Sequence, residues 1–122
     1  MKGVVNARGE ATIRLKLCGS GKQGHLFTAV IDTGYNGFLT MPNAMIQSLG
    51  LRSIGKTWAT LADGHVVSFD VYAGILQWNG RRRQIEIHAA QSDPLIGMEL
   101  LEGCELNIRV KAGGVVTISW MK

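Results

Sequence analysis

The sequence predicts an all-β domain built on a closed or sandwich-like sheet, with two short helices set between strands. Three observations lead there. Apolar and polar residues alternate over short stretches such as Ala11–Leu17 and Gln84–His88, the period that puts every second side chain on one face of a strand. Hairpin dipeptides recur along the chain as Asp63-Gly64, Asn79-Gly80 and Gly113-Gly114. The 122 residues hold 16 Gly against 2 Pro, so tight turns are many and rigid breaks few.

Residues 3 to 7 and 10 to 18 read as strands on either side of Arg8-Gly9. In the second, Ala11, Ile13, Leu15 and Leu17 share one face, with Thr12, Arg14 and Lys16 on the other. Residues 19 to 24 form a flexible loop. It is not a phosphate loop, because Lys22 is followed by Gln23 and position 16 holds Lys instead of the leading Gly. His25 to Ile31 is a strand that feeds Asp32, and Phe38 to Met41 is a shorter one. Pro42 then opens a small helix that turns Met45, Ile46 and Leu49 toward the core and closes at Gly50. Gly55 to Ala62 and His65 to Leu76 pair around Asp63-Gly64, and Asn79-Gly80 turns the chain into the strand Gln84–His88. The apolar segment Pro94–Gly97 runs into a one-turn helix, Met98–Glu102, stopped by Gly103. Glu105 to Val110 and Val115 to Trp120 make the last hairpin. There is no internal repeat, linker or low-complexity segment, so residues 1–122 are expected to be a single domain.

A composition of 46% hydrophobic and 18% charged residues is that of a globular chain. No apolar run reaches the length of a membrane span, and Met1–Asn6 lacks the apolar core of a secretion signal. Lys2 also excludes the glycine that myristoylation needs. The expected setting is soluble and cytoplasmic, with no membrane partner. In that setting Cys18 and Cys104 are expected to be reduced thiols packed in the core. The net charge of +4 is concentrated partly in Arg81-Arg82-Arg83 beside the Asn79-Gly80 turn. Such a run is a solvated hairpin end; a nucleic-acid surface needs a broader basic face with interleaved aromatics. No His or Cys pair has metal-ligand spacing, and the sequence calls for no cofactor.

One stretch carries chemistry. Ala29-Val30-Ile31 runs straight into Asp32-Thr33-Gly34, followed by Tyr35-Asn36-Gly37. A buried strand that breaks into a turn at Asp32 brings its carboxyl out of the core at a fixed point. On its own the triplet is equally an ordinary Asp/Gly turn. Three later elements give it a context: the hairpin tip at Ala62-Asp63-Gly64, the strand Leu95-Ile96-Gly97, and the helix with Leu100-Leu101. In these four elements, in this order from about Phe27 to Leu101, the chain resembles the retroviral-type (retropepsin-like) aspartic proteases.

That resemblance implies a closed β-barrel lobe with two short helices and an aspartic endopeptidase activity. Asp32 would be the catalytic carboxylate. Thr33 matches the residue whose hydroxyl bonds across a twofold axis, and Gly34 the residue whose amide donates to the carboxylate; both support the catalytic loop. Ala62, Asp63 and Gly64 would form a flap over a peptide or protein substrate. Gly97 would let the Leu95–Gly97 strand pack against the Asp32 loop, and Tyr35, Leu61, Leu95 and Ile96 would shape apolar pockets. Carboxylate hydrolysis needs an acid and a base together, yet the chain has one Asp-Thr-Gly. The second carboxyl must come from another copy, which makes a homodimer the expected assembly.

The chain also departs from the family. Tyr35-Asn36 stands where a small residue and an acid are usual, the hairpin tip is Asp-Gly, and Met98-Glu99 replaces a common Arg-Asn. Residues 98–122 are enough for a hairpin where the viral enzymes have one terminal strand, and Trp120 with Met121 points to a buried C-terminus. Three other readings compete. A catalytically silent peptide- or partner-binding module of the same fold would share all these elements. A nucleophile from Cys18 or Cys104 with His25, His65 or His88 is disfavoured, because both cysteines sit at strand ends as packing thiols do. A small nucleic-acid-binding barrel lacks aromatics near its basic run.

Overall fold

A computed structural model describes residues 1–18, 24–60 and 63–122. Ten strands and two helices follow one another among them: β1 (Lys2–Val5), β2 (Ala11–Cys18), β3 (Gly24–Ile31), β4 (Leu39–Met41), α1 (Asn43–Leu49), β5 (Arg52–Thr60), β6 (Val66–Trp78), β7 (Arg81–Ala89), β8 (Leu95–Ile96), α2 (Met98–Leu101), β9 (Cys104–Ile108) and β10 (Val115–Trp120). They form one sheet in the order β5-β6-β7-β4-β8-β3-β2-β1-β10-β9. A further β6–β2 pairing, Leu17 opposite Leu76, bends the middle of that sheet into a closed ring. The expected closed all-β lobe with two short helices is what forms, and closure leaves fewer raw edges.

The local signals act as read. Asn79 and Gly80 both take positive φ, 48° and 83°, the two-residue turn whose twist matches an antiparallel pair. That turn sets Trp78 opposite Arg81 and, through the ladder, Val71 opposite His88. Pro42 precedes α1 and the amide of Gly50 closes it on Gln47 and Ile46, with Ile46 and Leu49 buried. Ile13, Leu15 and Leu17 are buried as their alternation predicts. Thr12, assigned to the polar face, is buried as well. It lies under β1, where its hydroxyl donates to the carbonyl of Val4 at 2.7 Å.

Boundaries shift by a few residues where pairing outweighs local pattern. β6 and β7 extend to the Asn79-Gly80 turn, so Arg81–Arg83 belong to a strand and do not form a wholly solvated end. Arg81 lies over the Trp120 ring at 4.1 Å and Arg83 over Phe38 at 5.5 Å. Trp120 also donates its indole N–H to the carbonyl of Asn79, which ties the last strand to the β6–β7 turn. Cys18 is buried and Cys104 half-buried, both as free thiols. No helix among the described residues is long and apolar enough to cross a membrane.

The part of the fold that matters most for the site is a parallel pair. β3 and β8 run side by side, Val30 opposite Leu95 and Ile31 opposite Ile96. Both strands therefore end together, one releasing Asp32 and the other Gly97. Gly97 is buried against the Asp32 loop, and a Cβ there would lie 2.6 Å from Tyr35 Cδ2 and 2.8 Å from the Tyr35 carbonyl, and closer still to the Gly37 carbonyl. Two of these neighbours are backbone atoms, which cannot give way cheaply. Gly97→Ala is expected to lower unfolding stability by about 1–3 kcal/mol, measured as a shift of the urea midpoint. A midpoint equal to wild type would contradict the close approach.

Candidate active site

Asp32 sits one residue beyond β3, half-buried, with Thr33 and Gly34 exposed beside it. Its backbone N–H donates to the carbonyl of Ile96 at 2.9 Å, and its carbonyl accepts from the amide of Tyr35 at 3.1 Å. The carboxylate oxygen Oδ1 accepts from the Gly34 amide at 2.9 Å. One hydrogen bond thus orients the acid group, while the side chain stays at the surface of the ring. A Cβ on residue 34 would come 3.2 Å from that same oxygen, so glycine leaves the carboxylate room.

Behind the loop, four backbone hydrogen bonds strap it to β8 and α2. Asp32 donates to Ile96, Gly97 to Phe38, Met98 to Tyr35 and Glu99 to Gly37, at 2.8–3.2 Å. Leu95 is half-buried, with its amide on the Thr40 hydroxyl at 3.0 Å. Ile96 is fully buried and belongs to the hydrophobic core. Both residues stand behind the loop, whereas Tyr35, the third of the four side chains expected to shape pockets, lines the cleft. Leu61 and Ala62 lie outside the described residues. Asp63 and Gly64 are exposed at the β5–β6 tip. There the Asp63 carboxylate accepts from the His65 amide at 3.0 Å and lies 2.8 Å from the His65 ring nitrogen. These hydrogen bonds, the amide's foremost, hold its carboxyl below the usual carboxylate range. The expected charge at the tip therefore carries its own partner.

In front of the loop is a cavity of about 330 Å³. Gly34 to Gly37 form one side, and Thr57 to Thr60, Phe69 and His88 the other. Thr57 lies opposite Phe69 across the β5–β6 ladder and both are half-buried, whereas Trp58 next to them is 69% exposed. By strand alternation the inner face of the ribbon is then Thr57, Ala59 and Phe69, and the Trp58 ring points outward. Tyr35 spans the cavity. Its ring folds over Gly37, and its hydroxyl meets His88 Nδ1 at 2.8 Å. The His88 ring is stacked against Phe69, centroids 5.8 Å apart at 19°, with Tyr35 edge-on at 5.9 Å and 69°.

Burial decides the charge state of this pair. It pushes the Tyr35 phenol well above its usual range, with smaller additions from Glu99 and Glu86. It lowers the His88 pKa, against the opposing pull of the same two carboxylates. A phenol that keeps its proton beside a neutral imidazole donates to Nδ1, which leaves the ring's N–H on Nε2.

Of the residues lining the cavity, sequence patterning does not single out Phe69, and it names His88 only as a disfavoured partner for a cysteine nucleophile. The Asn79-Gly80 turn contains half of the signal, since it sets His88 opposite Val71. The other half is non-local: β4 and β7 pair in parallel, with Thr40 opposite His88, and this carries the ring to Tyr35. Among the described residues no cluster of three His, Cys, Asp or Glu side chains is placed to hold a metal.

No protein-family model and no curated protein matches the sequence. Solved structures do. The crystal structure of a retropepsin-like aspartic protease from Rickettsia conorii aligns over 100% of this chain and 91% of its own, with TM-score 0.58 and 16% identity. The solution structure of the simian foamy virus protease aligns over 73% of this chain and 91% of its own, with TM-score 0.50 and 21% identity. At such identities the likeness is one of fold, and the fold of this chain is retropepsin-like.

The lowered His88 pKa has a sign that can be checked. Folding favours neutral His88, so its contribution to stability is complete above the unfolded value of about 6.5 and is lost as pH falls through the lower folded value. The melting temperature of wild type is expected to drop between about pH 6.5 and 5 by more than that of His88→Phe. Parallel melting curves across that range would contradict a buried, neutral imidazole.

Proposed function

We propose that this chain is one half of an aspartic endopeptidase, in which Asp32 carboxyls from two copies share a site and hydrolyse peptide bonds. The observation that carries the reading is the Asp32 loop. A carboxylate is oriented by the amide of Gly34, a residue that itself lines a cleft under a β-ribbon, on a fold whose solved neighbours include a retropepsin-like aspartic protease.

The chemistry follows from what two adjacent carboxyls do. Held close, they cannot both ionise, so one keeps its proton. The ionised member takes a proton from water, whose oxygen attacks the scissile carbonyl carbon. The protonated member gives its proton to the carbonyl oxygen. When the tetrahedral intermediate collapses, the C–N bond breaks and the nitrogen leaves protonated. Thr33, exposed beside Asp32, is the residue suited to bridge the two loops. The β5–β6 ribbon faces the cleft and offers an extended substrate both strand pairing and exclusion of bulk water.

The strand order bears on how two copies meet. β1 lies between β2 and β10, and β10 between β1 and β9. β1 and β10 are thus paired on both sides within the chain, while β9, at the end of the order, keeps one open edge; in this reading the twofold contact brings the Asp32 loops together. Tyr35 and the ribbon tip are the substrate-facing parts of this reading, and no metal or cofactor enters it.

Asp32→Asn is expected to cut hydrolysis of a casein or peptide substrate by at least ~10²–10⁴-fold while leaving the folded structure intact by circular dichroism. Wild-type activity should peak on the acidic side and fall at alkaline pH, where both carboxyls ionise. Hydrolysis that survives the substitution would remove Asp32 from the chemistry.

A further inference from the structure

The cavity in front of the Asp32 loop has a chemical character of its own. None of its lining residues, among those described, is Asp, Glu, Lys or Arg. Its walls are flat: Phe69 and His88 stack, and Tyr35 stands edge-on to them. A volume of about 330 Å³ is near the lower bound for ligand clefts, room for one side chain with its backbone. His88 supplies a ring that stacks on Phe69 and can also donate a hydrogen bond. Its Nδ1 lies 2.8 Å from the Tyr35 hydroxyl; with the phenol donating there, the ring N–H is on Nε2, which has no hydrogen-bond partner among the described residues.

We infer that His88, held by Tyr35, is a specificity-determining residue: the pocket takes a substrate side chain that is flat, uncharged and ends in a hydrogen-bond acceptor, with the carboxamide of glutamine or asparagine as the match. This rests on the hydrolase reading above and adds a substrate class to it. The amide lies in the cavity at the edge of the His88 ring, and its carbonyl oxygen accepts from Nε2–H in the ring plane. Glutamate has the same shape but brings a negative charge toward Glu86 and Glu99, the two carboxylates that already act on His88 and Tyr35. Methionine fills the volume but leaves the imidazole donor unpaired, which costs affinity. Tyr35 acts through His88, so it is a positioning residue in this account.

The test uses peptides identical but for glutamine, glutamate or methionine, placed in turn at each position flanking the scissile bond. Each is assayed with wild type, His88→Phe and Tyr35→Phe. Ratios of kcat/KM between peptides within one variant are independent of how much of that variant is folded. For wild type, glutamine is expected to exceed methionine by about tenfold at one position, what a single half-exposed hydrogen bond supplies. His88→Phe keeps the ring and should bring that ratio to one or below; Tyr35→Phe should reduce it partway. A second readout follows the His88 Nε2 resonance of ¹⁵N-labelled wild type during titration with the same peptides carrying a reduced, uncleavable bond. Cleavage without a glutamine preference, or with one that His88→Phe leaves untouched, overturns the inference and keeps the hydrolase. If no peptide is cleaved, an Nε2 resonance that moves with the glutamine peptide alone upholds the pocket and overturns the hydrolase. A resonance that moves with neither peptide overturns the pocket as well.

Discussion

The site depends on how closely two backbones can approach. β8 and the segment after Asp32 come so near that position 97 has no room for a Cβ. Four amide-to-carbonyl bonds cross the gap. An exposed loop after a strand is ordinarily among the more mobile parts of a domain. This one is fixed from behind by a buried strand and a helix whose Leu100 and Leu101 are anchored in the core. Asp32 therefore inherits the rigidity of the hydrophobic centre while its carboxylate faces outward, the condition a reactive group needs when its partner is to arrive from elsewhere.

The same strap orients Tyr35. Its carbonyl accepts from Met98 and its ring lies over Gly37, so the phenol is aimed across the cleft at His88. The Asp32 loop, cavity wall and ribbon base are in this way one connected unit, running from the Gly34 amide through Tyr35 to His88 and Phe69. Glu86 and Glu99 bias the protonation of both members of the central pair. Burial within the cleft has the larger effect, and the two carboxylates outside its lining modify it.

Much of this was legible in the residues, and the limit has a physical form. Strand alternation in β2, the Asn79-Gly80 turn, the Pro42 and Gly50 ends of α1 and the place of Asp32 at a strand terminus are all local facts, decided within a few residues. The β2–β6 contact that closes the ring, the parallel β4–β7 pairing and the clasp of Trp120 on Asn79 and Arg81 join residues far apart in sequence. No period or motif encodes these. Thr12 shows the same limit in miniature: its polar pattern is real, yet β1 covers it and a backbone carbonyl satisfies its hydroxyl. At the candidate site, Asp32 and Gly34 are legible because a motif spans them, whereas the burial of Ile96 in the core and the place of His88 beside Tyr35 depend on non-local contacts.

In the proposed reading each chain contributes a single well-held carboxyl and takes a second from another copy. The most direct measurement mixes wild type with rising fractions of Asp32→Asn at constant total chain concentration, after exchange of subunits. If each active site takes one carboxyl from each of two copies, activity falls as the square of the wild-type fraction, because mixed pairs are dead. Activity that falls in simple proportion to the wild-type fraction would mean that one chain holds a complete site, and would contradict the account.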